Sequence, residues 1–507
     1  MLKRVLIILL VVAGIAVLSI PFLTRAQSGD LPRSTPAAEG ISTAAVIDLM
    51  DSLLALQGGD IHHVMVVRHG KVVAEAHPAP FRASDSHTVF SVSKTFTSLA
   101  VGIAIDENRL RLDDRVMTFF HDKMPDVISD RMAALTVRDL LTMSSGVQPD
   151  VALRSENADW VKAWLAKPCD EEPGTRFRYD SMCSHVLAAI LQRVTGRTLL
   201  DYLNEKLLSP MGIKRADWEM SPDSVNTGGW GLRVPAEALA KLGVLLLNKG
   251  SWQGKQLVSA NYVDQACSRI IDCEVAPDTT TRFGYGYQLW QTTWPGYGDV
   301  SMASGSYGQY VVMLPKLDMV IVILGVINDN NALMGYIRDV LLAGVGDSPL
   351  ASEKVLQQRL DSLCAHALIY LPQGKSTGQP VNGKRLVFRP NGYGMQWATV
   401  DNDTLKLARN GMPVESFPMG YREWRYGSLK GFPPYPIHAA NRMRDLVHDF
   451  EAAAAWAWTT PSTLEVRVHY VNWITASTYV FDFDKHELKF RDDFPGTQPA
   501  TISFDLK

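Results

Sequence analysis

Cysteine is scarce, with five in 507 residues, so no disulfide-rich scaffold holds this chain together. A surplus of charge of one sign is missing too. Fifty lysines and arginines stand against 53 aspartates and glutamates, a formal net charge of −3, whereas a nucleic-acid partner would want a basic surplus or stripe. The 12 histidines show no metal-ligand spacing, and neither a Cys-x-x-Cys pair nor a His-Glu-x-x-His helix occurs. Internal repeats and low-complexity tracts are absent as well. What is present is material for a core. The chain is 46% hydrophobic and 20% charged with a full set of aromatics, which excludes wholesale disorder. At roughly 150 residues per domain the length suggests about three parts. A large, multi-part globular protein remains, and an enzyme before anything else.

Lys3 and Arg4 precede an apolar run from Val5 to Leu23, broken by Gly14, Ser19 and Pro21. Two cations ahead of such a run mark a secretory signal or an N-terminal anchor within residues 1–30, and the run is just long enough to span a bilayer. Thr24-Arg25-Ala26 is a poor cleavage site, so cleaved and anchored forms both stand. The expected location is periplasmic or otherwise extracytoplasmic, with the membrane met only through residues 5–23. Export permits disulfides. Cys267 with Cys273, and Cys169 with Cys183, are spaced for two bridges that leave Cys364 over; free buried thiols are the alternative.

From about residue 31 to 348, amphipathic helices alternate with short apolar strands. His63–Arg68 and Lys71–Glu75, split by His69-Gly70, read as a hairpin. Lys94–Glu107, His185–Val194 and Ala236–Leu247 carry helical periods. Tyr310–Leu314 and Met319–Leu324 read as paired strands around Pro315–Asp318. Strands at both ends with helices between them predict one antiparallel sheet built from distant parts of the chain. Ser352–Tyr370 reads as a helix. Beyond it, Arg385–Phe388, Thr404–Leu407, Thr463–Val471, Thr478–Phe483 and Glu487–Phe490 are short alternating strands, which predict a separate β-barrel or sandwich.

Three segments carry chemistry. In Ser91-Val92-Ser93-Lys94 the serine and lysine stand three apart, so on a helix they share a face. A serine hydroxyl is a poor nucleophile until a base takes its proton, and a lysine held neutral by burial is such a base. In the first turn of a helix, Ser91 would also keep its backbone N–H free for an oxyanion. Alone the pattern is weak, since a chain this long shows about one Ser-x-x-Lys by chance. Tyr179-Asp180-Ser181 places a phenol after a turn and before a helix, where it can carry a proton. Ala303-Ser304-Gly305-Ser306-Tyr307-Gly308-Gln309-Tyr310 reads as the small-residue opening of a strand, against whose edge a substrate can lie, with the Ser306 N–H as a second oxyanion donor.

In this order, the three segments resemble the serine-hydrolase superfamily of class C β-lactamases, D,D-peptidases, related esterases and 6-aminohexanoate-dimer hydrolases. Leu112–Val116, Leu135–Gly146, Gly228–Arg233, Ser251–Val258 and Phe283–Tyr287 resemble that family's connecting segments, so the likeness covers roughly residues 35 to 345. It implies an α+β, two-lobed β-lactamase/penicillin-binding-like fold, with an antiparallel sheet flanked by helices and an all-helical lobe. Ser91 would be the acylated nucleophile, Lys94 its general base and Tyr179 the proton shuttle. Ser91 and Ser306 would supply the oxyanion hole, with Ser181, Ser304, Gly305 and Tyr307 against the substrate. Neither metal nor organic cofactor is required. The implied domains are the hydrolase over 31–348, a helical linker over 349–372 and a β-rich domain over 373–507. The last resembles the small lipocalin-like domain appended to some of these hydrolases.

Two departures bear on the substrate. The second motif usually reads Tyr-x-Asn, and Ser181 takes the third place here with a shorter side chain. The third motif of β-lactamases and D,D-peptidases begins with a lysine that helps bind the substrate carboxylate, and Ala303 stands there instead. Losing that charge-assisted hydrogen bond costs about 1.5–3 kcal/mol. The expected substrate is therefore a small ester or amide with no demanded carboxylate. A D,D-peptidase or weak β-lactamase comes second, favoured if a cation from elsewhere replaces the lysine, and a catalytically silent binding protein third. Trp230 lining the pocket, and His185 and His121 in any catalytic role, are expected less than plain packing or exposure. The Gly-x-Ser-x-Gly elbow of the α/β-hydrolases is absent around each candidate serine.

Overall fold

The computed structural model describes residues 30–56, 59–273, 283–401, 403–434, 450–493 and 497–507. The apolar run Val5–Leu23 lies outside them. No helix among the described residues is long and apolar enough to cross a membrane.

The central sheet has eight strands: β1 (Asp60–Arg68), β2 (Lys71–Ala76), β3 (Ile271–Asp272), β4 (Gly284–Tyr285), β5 (Trp290–Trp294), β6 (Gly298–Gly305), β7 (Gln309–Leu314) and β8 (Met319–Val326). Their order is β2-β1-β8-β7-β6-β5-β4-β3, and β1 runs antiparallel to β8 from Asp60↔Val326 to Arg68↔Met319. The expected closure of the sheet by distant segments holds, and so does the hairpin. Strand periodicity explains the near-continuous apolar runs, because both faces are covered. Met65 and Val67 of β1, with Val320, Val322 and Leu324 of β8, enter the core under helices α2 (Ser93–Asp106), α3 (Ser181–Thr195) and α4 (Ala236–Leu247). Val64 and Val66, with Met319, Ile321 and Ile323, enter the opposite core under α1 (Thr43–Leu54) and α5 (Lys354–Ala365). Each such aliphatic side chain contributes about 1.5–3 kcal/mol by burial.

Helix α5 is shorter than the expected 352–370. Past His366 the chain extends and exchanges backbone hydrogen bonds with Ala79, from Ala79 N–H to the Ala367 carbonyl and from Ile369 N–H to the Ala79 carbonyl. Those bonds replace the helical ones. The two expected disulfides are absent, and all five cysteines are free thiols. Cys183 faces the core of α3, while the Cys169 thiol contacts the carbonyls of Ser145 and Glu171.

The C-terminal part is a closed β-barrel. Its strands are β9 (Arg385–Phe388), β10 (Met395–Asp401), β11 (Thr404–Arg409), β12 (Glu415–Tyr421), β13 (Arg425–Ser428), β14 (Glu451–Trp458), β15 (Thr463–Tyr470), β16 (Ala476–Asp482), β17 (Glu487–Asp492) and β18 (Ala500–Leu506). A parallel pairing of β12 with β14 closes the ring, and β13 pairs with β14 beside it. Leu405, Phe417, Val466, Tyr479, Phe481 and Phe504 fill the interior. The barrel docks on the hydrolase part, since Phe90 and Val326 join its apolar cluster. Arg467 pairs with Asp60 at 2.6 Å, Arg82 pairs with Glu451, and the Tyr426 hydroxyl donates to the Pro80 carbonyl at 2.7 Å.

Candidate active site

The Ser91 segment is anchored before it turns. His87 and Thr88 pair with Val234 and Arg233, the Val89 N–H reaches the Leu232 carbonyl, and the 3-10 turn Phe90–Val92 runs straight into α2. Phe90 has φ 45°, a left-handed conformation that a bulky residue keeps only when its surroundings hold it. Tyr307 holds it edge-on at 5.5 Å, and it joins the apolar cluster of the C-terminal barrel. Ser91 thus stands half-buried in the first turn, where no carbonyl one turn behind takes up its N–H.

Lys94, one turn on, is 1% exposed. Its Nζ lies 2.9 Å from Ser91 Oγ, 3.0 Å from Ser181 Oγ and 2.6 Å from the Gly229 carbonyl. Burial pulls its ammonium down to about 7, against a smaller upward pull from Asp180. A neutral amine keeps two N–H groups, which the Gly229 carbonyl and Ser181 accept. Its lone pair then faces Ser91, the geometry of a base. Tyr179 lies with its ring centroid 4.8 Å from Nζ and its hydroxyl in hydrogen-bonding reach of Ser91. Burial pushes the phenol up to about 12, so at neutral pH it holds its proton while Lys94 titrates. Trp290 stacks on the Tyr179 ring at 5.6 Å.

The Tyr179–Ser181 segment owes its placement to Asp180. Its carboxylate caps α3 by accepting the Met182 N–H at 2.9 Å and takes the Trp164 indole N–H at 2.9 Å. Burial raises its pKa.

The third motif differs from its sequence reading. Ser304 and Gly305 end β6, Ser306-Tyr307-Gly308 form the hairpin turn, and only Gln309 opens a strand. Tyr307 (φ 68°) and Gly308 (φ 101°) make the turn, which is why the segment cannot run on as one strand. A Cβ on Gly305 would sit 2.4 Å from the Val89 carbonyl. That close approach brings the Ser304–Ser306 end against the Phe90–Val92 turn. Ser306 is exposed, Ser304 and Tyr307 are half-buried, and Ala303 is buried within the sheet.

His185 is a core residue, edge-on to Trp160 at 5.3 Å and held down to about 4 by burial. His121 is exposed and Trp230 is buried. Sequence reasoning missed the Gly229 carbonyl, because a backbone acceptor leaves no residue-type signal. Its trace is the Gly228-Gly229 pair, where a Cβ on Gly229 would meet the Ser181 carbonyl oxygen at 2.7 Å.

This fold, with a serine, a lysine and a tyrosine converging at the lobe boundary, defines a serine hydrolase of the β-lactamase and penicillin-binding-protein kind. A family model described as Beta-lactamase matches residues 47–343, and the chain belongs to that family. Curated relatives include a 6-aminohexanoate-dimer hydrolase from Paenarthrobacter ureafaciens, 28% identical over 279 residues, or 51% of this chain and 70% of that protein. Penicillin-binding protein 4 from Amycolatopsis lactamdurans is 25% identical over 321 residues, 54% of this chain and 79% of that protein. Among solved structures, EstCE1, a hydrolase with promiscuous acyltransferase activity, aligns with TM-score 0.50 at 18% identity, covering 59% of this chain and 99% of its own.

Proposed function

We propose that this protein hydrolyses a small ester or amide through an acyl-enzyme on Ser91, with Lys94 as general base and Tyr179 as proton shuttle. The observation that carries the reading is the Lys94 amine, buried, brought down to about 7 and 2.9 Å from Ser91 Oγ. Ser91 Oγ bonds to the substrate carbonyl carbon as its proton passes to Lys94. Tyr179, backed by Trp290, delivers its proton to the leaving alkoxide or amine and takes the former Ser91 proton from Lys94 in its place. Water then attacks the acyl carbon, and Ser91 recovers its proton as the acid departs. Backbone N–H groups of Ser91 and Ser306 face the carbonyl oxygen as it gains charge. Ala303 in place of a lysine, together with the amide-hydrolase relative, favours an ester or amide over a β-lactam. The N-terminal run supports work outside the cytoplasm.

A fluorophosphonate probe tests the chemistry: one adduct is expected on the wild type and none on Ser91→Ala. A wild type left unlabelled would return the chain to the silent-binder reading. A short-chain nitrophenyl ester beside a chromogenic cephalosporin tests the class, with the ester the better substrate. Turnover of the cephalosporin alone would favour the penicillin-binding relative instead.

A further inference from the structure

The Phe90–Val92 turn that carries Ser91 is gripped by one short strand, Leu232–Val234, the middle of three in a small sheet with His87–Thr88 and Asp217–Trp218. The Leu232 carbonyl takes the Val89 N–H at 3.1 Å, just before the turn. The Leu232 N–H donates to Ser93 Oγ at 3.2 Å just after it, and that hydroxyl donates to the Phe90 carbonyl at 2.5 Å. Ser91 is thereby enclosed between two anchors on a single residue, and its place follows the strand.

The next residue of the strand is Arg233, paired with Thr88 on one side and Asp217 on the other. Its side chain is fully buried and forks onto the Asp217 carboxylate, with Nε 2.7 Å from Oδ1. Its guanidinium carbon lies 4.3 Å from the centroid of the Phe450 ring, which belongs to the barrel, one residue ahead of β14. Phe450 is buried as well. It stands edge-on to Trp473 at 5.6 Å and to Phe432 at 6.0 Å, in the apolar cluster that Phe90 also joins. The barrel therefore meets the Ser91 turn twice, at the Phe90 side chain and at Arg233 of the strand that grips it. An ion pair shut away from water keeps one geometry only while its faces stay covered. An aromatic face over a guanidinium supplies cover and attraction together.

We propose that Phe450 is a positioning residue: the barrel holds Arg233 through this ring, Arg233 holds the Leu232–Val234 strand, and the strand holds Ser91 within reach of Lys94. The barrel is then a working part of the hydrolase rather than an appended domain. The proposal rests on the Ser91 acyl-enzyme reading and adds a requirement to it, since reacting atoms displaced by about 1 Å cost up to about 100-fold in rate.

Full-length variants test this, each read by kcat and KM on nitrophenyl butyrate, by the rate of fluorophosphonate labelling of Ser91 and by a melt. Phe450→Leu keeps an apolar side chain and gives up the ring. It is expected to lower kcat and the labelling rate together by about tenfold, with KM changed by less than about twofold. Phe450→Tyr keeps the ring and is expected to recover most of the wild-type rate. Phe504→Leu is the control, inside the barrel against Phe388 and Phe483; it should lower the melting temperature without lowering kcat. If Phe450→Leu does not yield folded protein, Phe450→Met puts the same question with a more adaptable apolar side chain. Wild-type kcat and labelling rate in the leucine or methionine variant overturn the proposal. So does an equal fall in Phe504→Leu, or a tyrosine variant as slow as the leucine one. A wild type left unlabelled removes the acyl-enzyme itself, whereas labelling at the wild-type rate in Phe450→Leu removes only the role of the barrel.

Discussion

At the scale of single residues, the proposed reaction turns on one amine. Lys94 has three neighbours for its nitrogen, and one is a carbonyl that can only accept. Whichever protonation state it holds, the position facing Ser91 is the one left to change. Lys94→Arg is accordingly expected to lower kcat for ester hydrolysis by more than about 100-fold, because a guanidinium stays protonated and cannot take the serine proton. Retention of wild-type kcat would assign the base elsewhere. Ser91, Lys94 and Tyr179 were legible in the sequence because each is a reactive side chain at fixed spacing in an ordered set of motifs. Asp180 was not, since its place depends on Trp164, which reaches it only through the fold.

At the scale of elements, caps and close approaches decide where the reactive groups stand. Asp180→Ala removes the α3 cap and strands the Trp164 indole N–H, so thermal or urea unfolding should report a loss of about 1–3 kcal/mol. Gly229→Ala inserts a Cβ 2.7 Å from the Ser181 carbonyl oxygen. That backbone has to move, and the Gly229 carbonyl moves off Lys94 with it. The expected result is a fall in kcat of about tenfold or more with a smaller change in stability, read by steady-state kinetics beside a melt; unchanged kcat would show that Lys94 does not depend on this carbonyl. The amphipathic helices and the central strands could be read from their periods, with α3 starting four residues early because its cap, Asp180, precedes the apolar stripe. Strand β14 could not. Glu451–Trp458 is rich in alanine, a helix-former, and is extended because β12, β13 and β15 all pair with it.

At the scale of the whole molecule, the barrel and the hydrolase part meet across buried histidines. His62 Nδ1 lies 2.9 Å from His87 Nε2, His63 Nδ1 lies 2.8 Å from His77 Nδ1, and His469 of the barrel stands edge-on to His62 at 6.4 Å. Arg467 donates to His469 Nε2 at 2.9 Å and pairs with Asp60, with Asp493 at 3.6 Å. Burial lowers the pKa of His62, His63 and His469 well below the usual range, and that of His87 to about 4. A folded-state pKa below the unfolded one means that the unfolded chain binds the extra proton. The stability these histidines permit is therefore full above about pH 6.5 and is lost as pH falls toward 4, on the order of 3 kcal/mol for His87 alone. Melting temperatures at pH 7.5 and pH 4.5 should differ accordingly, and His469→Phe should flatten the dependence. An equal slope in that variant would show that His469 does not contribute to the pH dependence. A β-rich C-terminal domain was legible from alternating strands, but its docking was not. The contacts join residues hundreds of positions apart, and Phe90, one residue before Ser91, reads in sequence as an ordinary apolar flank.

The proposed transfer of the Ser91 proton to Lys94 is measured by the rate of fluorophosphonate labelling of the wild-type protein against pH. The rate is expected to rise with one ionisation near pH 7, as the buried amine loses its proton, and to level off above it, with no labelling of Ser91→Ala at any pH. A wild-type rate that does not change between pH 5 and pH 9, or equal labelling of Ser91→Ala, would contradict it.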